Sequence, residues 1–221
     1  MAANSLDELP YASALHTFAG DLAPGEHYDT VHFDGVRADA AQAQGAAFLE
    51  CAFTQVSLSA GRFRRARFTD VWLRDTRLTG TDLADTGWVD VTFIACLAAG
   101  IEVHGAGLRR VTFRDCKLDA VNFRGASLTD VRFDNCLLRE VDFGGAKMSR
   151  CRFAGSRLQH ADFSRAALDE VDLRGAELGI TVDPTALRGA IISSAQLAEI
   201  APLIAASLGI VVSDDEVPDR N

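Results

Sequence analysis

The sequence predicts an all-β solenoid that ends in a C-terminal helix. Three observations carry this prediction: a five-residue period that is unbroken over residues 31–180, a lack of charge at two of its five positions, and a helical apolar pattern after residue 193. Of the 30 third positions between Phe33 and Leu178, 12 are Phe and 12 are Leu. The 60 first and third positions hold no charged residue, although charged residues make up 24% of the chain. A fixed internal repeat indicates a stacked, quasi-one-dimensional architecture.

Neither an ordinary helix nor an ordinary strand explains a five-residue period. Every fifth residue of an α-helix moves around all of its faces, and a plain strand alternates its faces every two residues. We expect the first and third residues of each repeat to point inward, the second to point outward, and the fourth and fifth to turn a corner. The corner letters, such as RD, RG, TD and DN, are typical of turns. A chain that bends the same way at every repeat winds into a coil.

Several repeats match a known motif. TDLAD (81–85), ADFSR (161–165) and VDLRG (171–175) resemble the A(D/N)LXX motif of the pentapeptide-repeat family. The resemblance implies a right-handed quadrilateral parallel β-helix with about 20 residues in each coil. We therefore predict a β-helix over residues 31–180, preceded over residues 1–30 by an N-terminal cap and an imperfect first coil.

The implied stacking of each coil on the previous one predicts two phenylalanine ladders in the core. One side should hold Phe113, Phe133 and Phe153, and the opposite side Phe123, Phe143 and Phe163. The five cysteines all occupy the inward first position, at Cys51, Cys96, Cys116, Cys136 and Cys151. A metal or redox role is one interpretation of these thiols. We favour the other, in which they are small buried hydrophobic residues that replace Ala or Val.

The sequence contains no recognisable catalytic constellation. The five His residues are scattered without ligand spacing, and GxSxG, GxxxxGK[ST] and HExxH motifs are missing. We therefore expect no enzyme activity, no metal and no cofactor. The N-terminal residues MAANSLDELPYAS lack the features of a signal peptide, and no apolar stretch reaches about 18 residues. We expect a cytoplasmic protein without a membrane partner.

Residues 181–212 are predicted to form a helix and a short strand. Ser193 and Gln196 form a capping box, and Pro202 is expected to kink or split the helix. Helical spacing places four apolar candidates on one stripe: Leu197, Ile200, Ile204 and Leu208. The stripe either caps the last coil or pairs two rods end to end, as the resemblance of LGIVV to the C-terminal ends of quinolone-resistance pentapeptide proteins implies. We favour the homodimer. Residues 213–221 are predicted to form an acidic disordered tail.

The net charge of −9 does not come from the repeats. Residues 31–180 hold 20 acidic and 20 basic residues, whereas residues 1–30 hold five acidic residues and no Lys or Arg. A rod that displaced DNA electrostatically should carry an acidic stripe. The neutral repeats argue against simple DNA mimicry, and we expect no direct contact with nucleic acid.

Two outward clusters are candidate partner surfaces. The stretch GRFRRAR places Arg62, Arg64, Arg65 and Arg67 at one corner, either as a solvated face or as a site for an acidic partner. The apolar residues Trp72, Ile94 and Leu97 fall at outward positions of neighbouring coils. Either the coil bulges there and Ile94 and Leu97 turn inward, which we favour slightly, or an apolar patch is exposed to a partner.

The family resemblance implies a non-catalytic rod that binds a macromolecule. Its quinolone-resistance subgroup implies DNA gyrase or topoisomerase IV as the partner, with protection against topoisomerase poisons as the effect. The alternative is a protein-interaction scaffold or regulator that has no connection with topoisomerases.

Overall fold

The computed structural model describes residues 3–179 and 184–213, and within these residues the repeats wind into a parallel β-solenoid. Each coil has four faces, which we number in chain order. Faces 1, 2 and 4 are parallel sheets of short strands, and face 3 is a row of single β-bridges.

Three sheets and one row of bridges contain the following segments. Face 1 consists of His16–Thr17, Val31–Asp34, Ala52–Thr54, Trp72–Arg74, Thr92–Ile94, Thr112–Arg114 and Arg132–Asp134, and ends with Val171–Asp172 paired to Ala190–Ile191. Face 2 consists of Arg37–Asp39, Ser57–Ser59, Arg77–Thr79, Leu97–Ala99, Lys117–Asp119, Leu137–Arg139, Arg157–Gln159 and Glu177–Gly179. Face 3 consists of the bridged residues Gln42, Arg62, Asp82, Glu102, Asn122, Asp142 and Asp162. Face 4 consists of His27–Asp29, Ala47–Leu49, Arg67–Thr69, Gly87–Val89, Gly107–Arg109, Ser127–Thr129, Lys147–Ser149 and Ala167–Asp169.

The register confirms the predicted coil of 20 residues. Phe93 pairs with Phe113, which pairs with Phe133 on face 1, and Leu118 pairs with Leu138 on face 2. The start of the solenoid is different, because His16 pairs with Val31 at an offset of only 15 residues. The first coil is therefore shorter than the others.

The corners depend on a left-handed residue at the end of each repeat. Every fifth residue from Gly20 to Gly175 has a positive φ, between 49° and 105°. This conformation costs an L-residue roughly 1–2 kcal/mol, least for Gly, Asn and Asp. Asp115 (φ 54°) and Asn135 (φ 53°) in the corners RD and DN follow this preference.

The Asp or Asn of the repeat motif holds the turn on face 3. The N–H of Gly144 donates to Asp142 Oδ1 at 2.7 Å, in the same repeat. The same side-chain turn recurs on face 3 at Asp82, Asn122 and Asp162, and on face 1 at Asp172. The side chain thus satisfies a backbone donor at the corner, which is the general reason for Asp and Asn in turns.

The structure places the six phenylalanines in two stacked ladders. Ring centroids are 5.0 Å apart between Phe113 and Phe133 and 4.7 Å apart between Phe133 and Phe153. On the opposite side the spacings are 5.3 Å between Phe123 and Phe143 and 5.0 Å between Phe143 and Phe163. The two ladders meet edge to face, as at Phe133 and Phe143. These contacts join every coil to the next.

The core is thinnest where short side chains replace Phe and Leu. Ala98 and Val103 line an enclosed apolar cavity of about 30 Å³. Ala98 lies in the leucine column of face 2, between Leu78 and Leu118. The cavity therefore lies where Ala98 interrupts the column of leucines and leaves space that a Leu side chain would fill.

Replacing Ala98 with Leu should stabilise the protein by about 1–2 kcal/mol, because the new side chain removes apolar surface from an existing void. The measurement is the urea midpoint followed by circular dichroism. Ala126→Leu is the matched control, since Ala126 is fully buried and does not line the cavity. Overpacking should lower its midpoint. Equal shifts in both variants would contradict the prediction.

A single α-helix, Ser194–Ser207, follows the last coil. Ser193 and Gln196 form the predicted capping box, and the helix continues through Pro202 without splitting. The Gln196 Nε2 group donates to the carbonyls of Leu173 and Ala176, both at 2.7 Å, and Ile200 is buried. The inner side of the helix thus closes the end of the solenoid. Three short 3-10 turns complete the described structure, at Leu6–Glu8, Ala12–Ala14 and Pro184–Leu187.

Candidate interaction surfaces

The five cysteines of the solenoid are free thiols that are buried in its interior. Burial raises the pKa of Cys51 and of Cys151 to about 11, so both thiols are neutral near pH 7. Across residues 3–179 and 184–213, no group of three or more His, Cys, Asp or Glu side chains could hold a metal ion. The side chains that a partner could reach lie on the outside of the rod.

The outward apolar cluster on face 1 is covered by the chain's own N-terminal segment, residues 3–15. Leu9 is buried against Ala52, Trp72 and Ile94, and Trp72 is only 2% exposed. Other apolar residues of the segment pack around this contact: Ala3, Leu6, Tyr11, Ala12 and Leu15. An outward Trp is thereby buried without entering the solenoid core.

Polar contacts hold the N-terminal segment in place at both ends. The Trp72 indole N–H donates to the Ala3 carbonyl at 3.2 Å, and Arg74 Nη1 donates to the Asn4 carbonyl at 2.7 Å. Arg114 reaches the Asn4 side chain from two coils further on. At the other end, the Tyr11 hydroxyl donates to the Cys51 carbonyl at 3.4 Å, and burial raises the pKa of Tyr11.

Both interpretations of the outward apolar cluster are wrong. The coil does not bulge, because Ile94 pairs with Arg74 and Leu97 pairs with Arg77 in the regular register. Trp72 and Ile94 are not exposed either, because the N-terminal segment covers them. Leu97 stays outward and half-buried on face 2. The available signal was the apolar spacing of LDELPYASAL before the first repeat.

The four arginines of GRFRRAR lie around the corner between faces 3 and 4. Arg64 Nη2 makes an ion pair with Asp85 at 2.9 Å. Arg62, Arg65 and Arg67 are exposed, and none of them forms an ion pair with a residue that the structure describes. The patch is basic and open to solvent.

Face 3 carries a row of acidic side chains, although residues 31–180 as a whole have equal numbers of acidic and basic residues. The outward second positions from Asp82 to Asp162 contain four acidic residues and Asn122. Three of the carboxylates also accept backbone N–H groups in turns, and Asp142 pairs with Arg124 at 2.7 Å. The row is acidic, but several of its carboxylates already accept hydrogen bonds from backbone N–H groups or from Arg124.

The outer side of the C-terminal helix is apolar and exposed. Leu197 is 48% exposed and Leu208 is 69% exposed, whereas Ile200 is buried against the solenoid and Ile204 is half-buried. Leu203, which the predicted stripe did not include, is also 48% exposed. The helix thus caps the rod with one side and leaves a second apolar side uncovered. No helix among the described residues has the length and hydropathy needed to cross a membrane.

Comparison with known proteins identifies the repeat. The sequence model described as a pentapeptide repeat region matches residues 46–123, and that of pentapeptide repeats in eight copies matches residues 106–145 and 136–175. Together they cover more than half of the 221 residues. No curated protein sequence matches the chain significantly.

Solved structures show the same fold. A trypsin-treated QnrB1, a plasmid-mediated fluoroquinolone resistance protein, is similar over 90% of this chain and 99% of that chain, with a TM-score of 0.70 at 20% identity. A second trypsin-treated form has a TM-score of 0.61 at 19% identity and covers 89% and 96% of the two chains. Full-length QnrB1 has a TM-score of 0.54 at 20% identity and covers 89% and 100%. This chain belongs to the pentapeptide-repeat family.

Proposed function

We propose that this protein is a non-catalytic cytoplasmic rod that binds DNA gyrase or topoisomerase IV and protects it from quinolone-type poisons. The observation that carries the proposal is the similarity to QnrB1, a fluoroquinolone resistance protein, over 90% of this chain and 99% of that chain. The resemblance of the C-terminal LGIVV to the quinolone-resistance subgroup supports it.

A supercoiling assay tests this proposal. Purified gyrase is given relaxed plasmid, with and without ciprofloxacin, and increasing amounts of the protein. We expect the protein to lower the fraction of plasmid cleaved in the presence of the drug, with a dose dependence that follows binding to gyrase. Unchanged supercoiling, cleavage and drug sensitivity at all concentrations would rule out the topoisomerase role. A repeat-free protein of similar net charge serves as the control.

We further propose that two copies pair through the outer side of the C-terminal helix. Leu197, Leu203 and Leu208 are exposed there, next to the exposed residues Ile210–Val212. Contiguous exposed apolar side chains mark interaction sites in soluble proteins. An isologous contact between identical helices would cover them in both copies at once.

Light scattering tests the dimer. The wild-type mass should be twice the chain mass of 23.7 kDa, and Leu197→Asp with Leu208→Asp should give a monomer, because two charges would be buried without partners. The matched control is Leu49→Asp, which changes a leucine that is 42% exposed on face 4 and should leave the dimer intact. A wild-type monomer at micromolar concentration would refute the dimer.

The second candidate function is a protein-interaction scaffold or regulator without a topoisomerase partner. The exposed arginine corner at Arg62, Arg65 and Arg67 favours it, because a basic surface fits an acidic protein. The supercoiling assay separates the two candidates.

A further inference from the structure

Face 1 carries two neighbouring arginines beyond the part that the N-terminal segment covers. Arg132 and Arg152 are bridge partners on consecutive coils, so their backbones are about 4.8 Å apart. Both are exposed, and neither forms an ion pair with any residue in the described part of the chain. Two arginines on adjacent backbones place like charges near each other, and a bound anion would offset their repulsion.

The carboxylates beside these arginines are engaged elsewhere. Arg150 pairs with Asp130 at 2.7 Å, and Arg174 pairs with Asp172 at 2.8 Å. These pairs hold the pKa of Asp130 and of Asp172 below the usual range. Both acids therefore stay ionised, and their side-chain hydrogen bonds go to Arg150 and Arg174, whereas Arg132 and Arg152 interact with them only through charge. These side chains line an open groove on this part of the rod, together with Arg110, Thr112, Glu170 and Ile191. Five arginines and three acids line it, and Glu170 is the third acid.

The groove ends on an apolar side chain. Asp172 is the bridge partner of Arg152 on the next coil, and Ile191 pairs with Asp172 one step further along the axis. The Ile191 side chain is 42% exposed. Along the rod axis, the groove thus presents two guanidinium groups and then, about 10 Å further on, an apolar contact. At about 3.4 Å for each residue, an extended peptide covers that distance in three residues.

We propose that this groove binds an acidic peptide segment of a protein partner. Two carboxylates, two residues apart on one face of the extended peptide, accept hydrogen bonds from Arg132 and Arg152, and an apolar residue two or four positions further on, on the same face, packs on Ile191. The inference extends beyond the proposed function, because it does not require the partner to be a topoisomerase.

A peptide fits the groove better than a nucleic acid does. The carboxylates of Glu170 and of Asp172, which is paired with Arg174, interrupt the positive surface. A continuous chain of phosphates would be repelled by these negative charges. The residues that line the groove include no aromatic side chain on which a base could stack. Short acidic segments avoid both difficulties.

Fluorescence anisotropy tests the proposal with a fluorescein-labelled peptide, Gly-Glu-Gly-Glu-Gly-Leu-Gly-Leu, whose Glu and Leu side chains share one face when extended, and the full-length protein. We expect saturable binding that weakens with salt and falls by about tenfold or more in R132E/R152E. R132K/R152K should bind with intermediate affinity, because it keeps the charge but loses the bidentate geometry.

The matched control is R37E/R77E, which makes the same change of charge at two exposed arginines of face 2. It should bind the peptide like the wild-type protein. An equal loss of affinity in both double variants would overturn the proposal, since it would indicate nonspecific attraction. Failure of the wild-type protein to bind the peptide would also overturn it, as would tighter binding of a single-stranded oligonucleotide of equal charge. Thermal melting of each variant establishes that it is folded.

Discussion

Replacing Phe133 with Ala is expected to lower the free energy of unfolding by about 3–5 kcal/mol. The ring is fully buried and stacks between Phe113 and Phe153, at 5.0 Å and 4.7 Å. It also meets Phe143 edge to face at 6.1 Å. The neighbouring rings cannot close the cavity easily, because backbone pairing to the coil before holds Phe133 and its neighbours in register.

The measurement is equilibrium unfolding in urea, followed by circular dichroism and by intrinsic fluorescence. Leu49→Ala is the control, since Leu49 points outward and should change the midpoint little. Phe18→Ala at the start of the ladder should cost less than Phe133→Ala, because a terminal coil can fray separately from the rest of a solenoid. An unchanged midpoint in Phe133→Ala would contradict the assigned inward frame.

Replacing Leu9 with Asp should release the N-terminal segment from face 1 while the solenoid stays folded. Leu9 is buried in the contact with Trp72 and Ile94, and an ionised carboxylate there would lose its hydration without gaining a partner. This cost of several kcal/mol, added to the lost apolar contact of Leu9, opposes the four hydrogen bonds that hold the segment on the solenoid. The stacked coils do not depend on this contact for their own pairing.

Tryptophan emission reports the release. The chain has two Trp residues, so a Trp88→Phe background leaves Trp72 as the single indole. Phe is a mild replacement at residue 88, where the ring stacks on Phe68 at 4.2 Å. We expect the Trp72 emission to shift to the red and to become accessible to acrylamide in Leu9→Asp.

The matched control for this release is Ala14→Asp, which adds the same charge at an exposed position of the same segment. Its Trp72 emission should stay blue-shifted. If Leu9→Asp leaves the emission and the quenching unchanged, then the N-terminal segment does not cover Trp72 in solution.

Much of the core was predictable from the sequence because the repeat is strictly local. Each five-residue unit sets its own inward and outward positions, so Phe123 and Phe143 could be placed without knowledge of distant contacts. The helix cap at Ser193 was predictable for the same reason, since its partner Gln196 is three residues away. The first coil departed from the rule because its register is offset by 15 residues.

The surface depended on contacts between distant parts of the chain. From sequence alone, an outward Trp72 could be explained by a bulge or by a partner, and its cover comes from residues about 60 to 70 positions earlier. The ion pairs on the outside of the rod are equally hard to predict from sequence. Arg150 pairs with Asp130 one coil away, whereas Arg152 forms no ion pair with a described residue. Charge totals could not separate these two arginines.

The sequence by itself determined the inward residues, the corners and the helix that follows, because each depends on spacing within a few residues, while the coil length of 20 residues followed from the resemblance to the pentapeptide-repeat family. Only the tertiary structure decided which outward residues are available to a partner. It buried Trp72 under the N-terminal segment and left Arg132 and Arg152 side by side in the open. The physical reason is that burial and ion pairing on the outside of a solenoid depend on contacts between residues far apart in sequence, and a five-residue repeat does not specify those contacts.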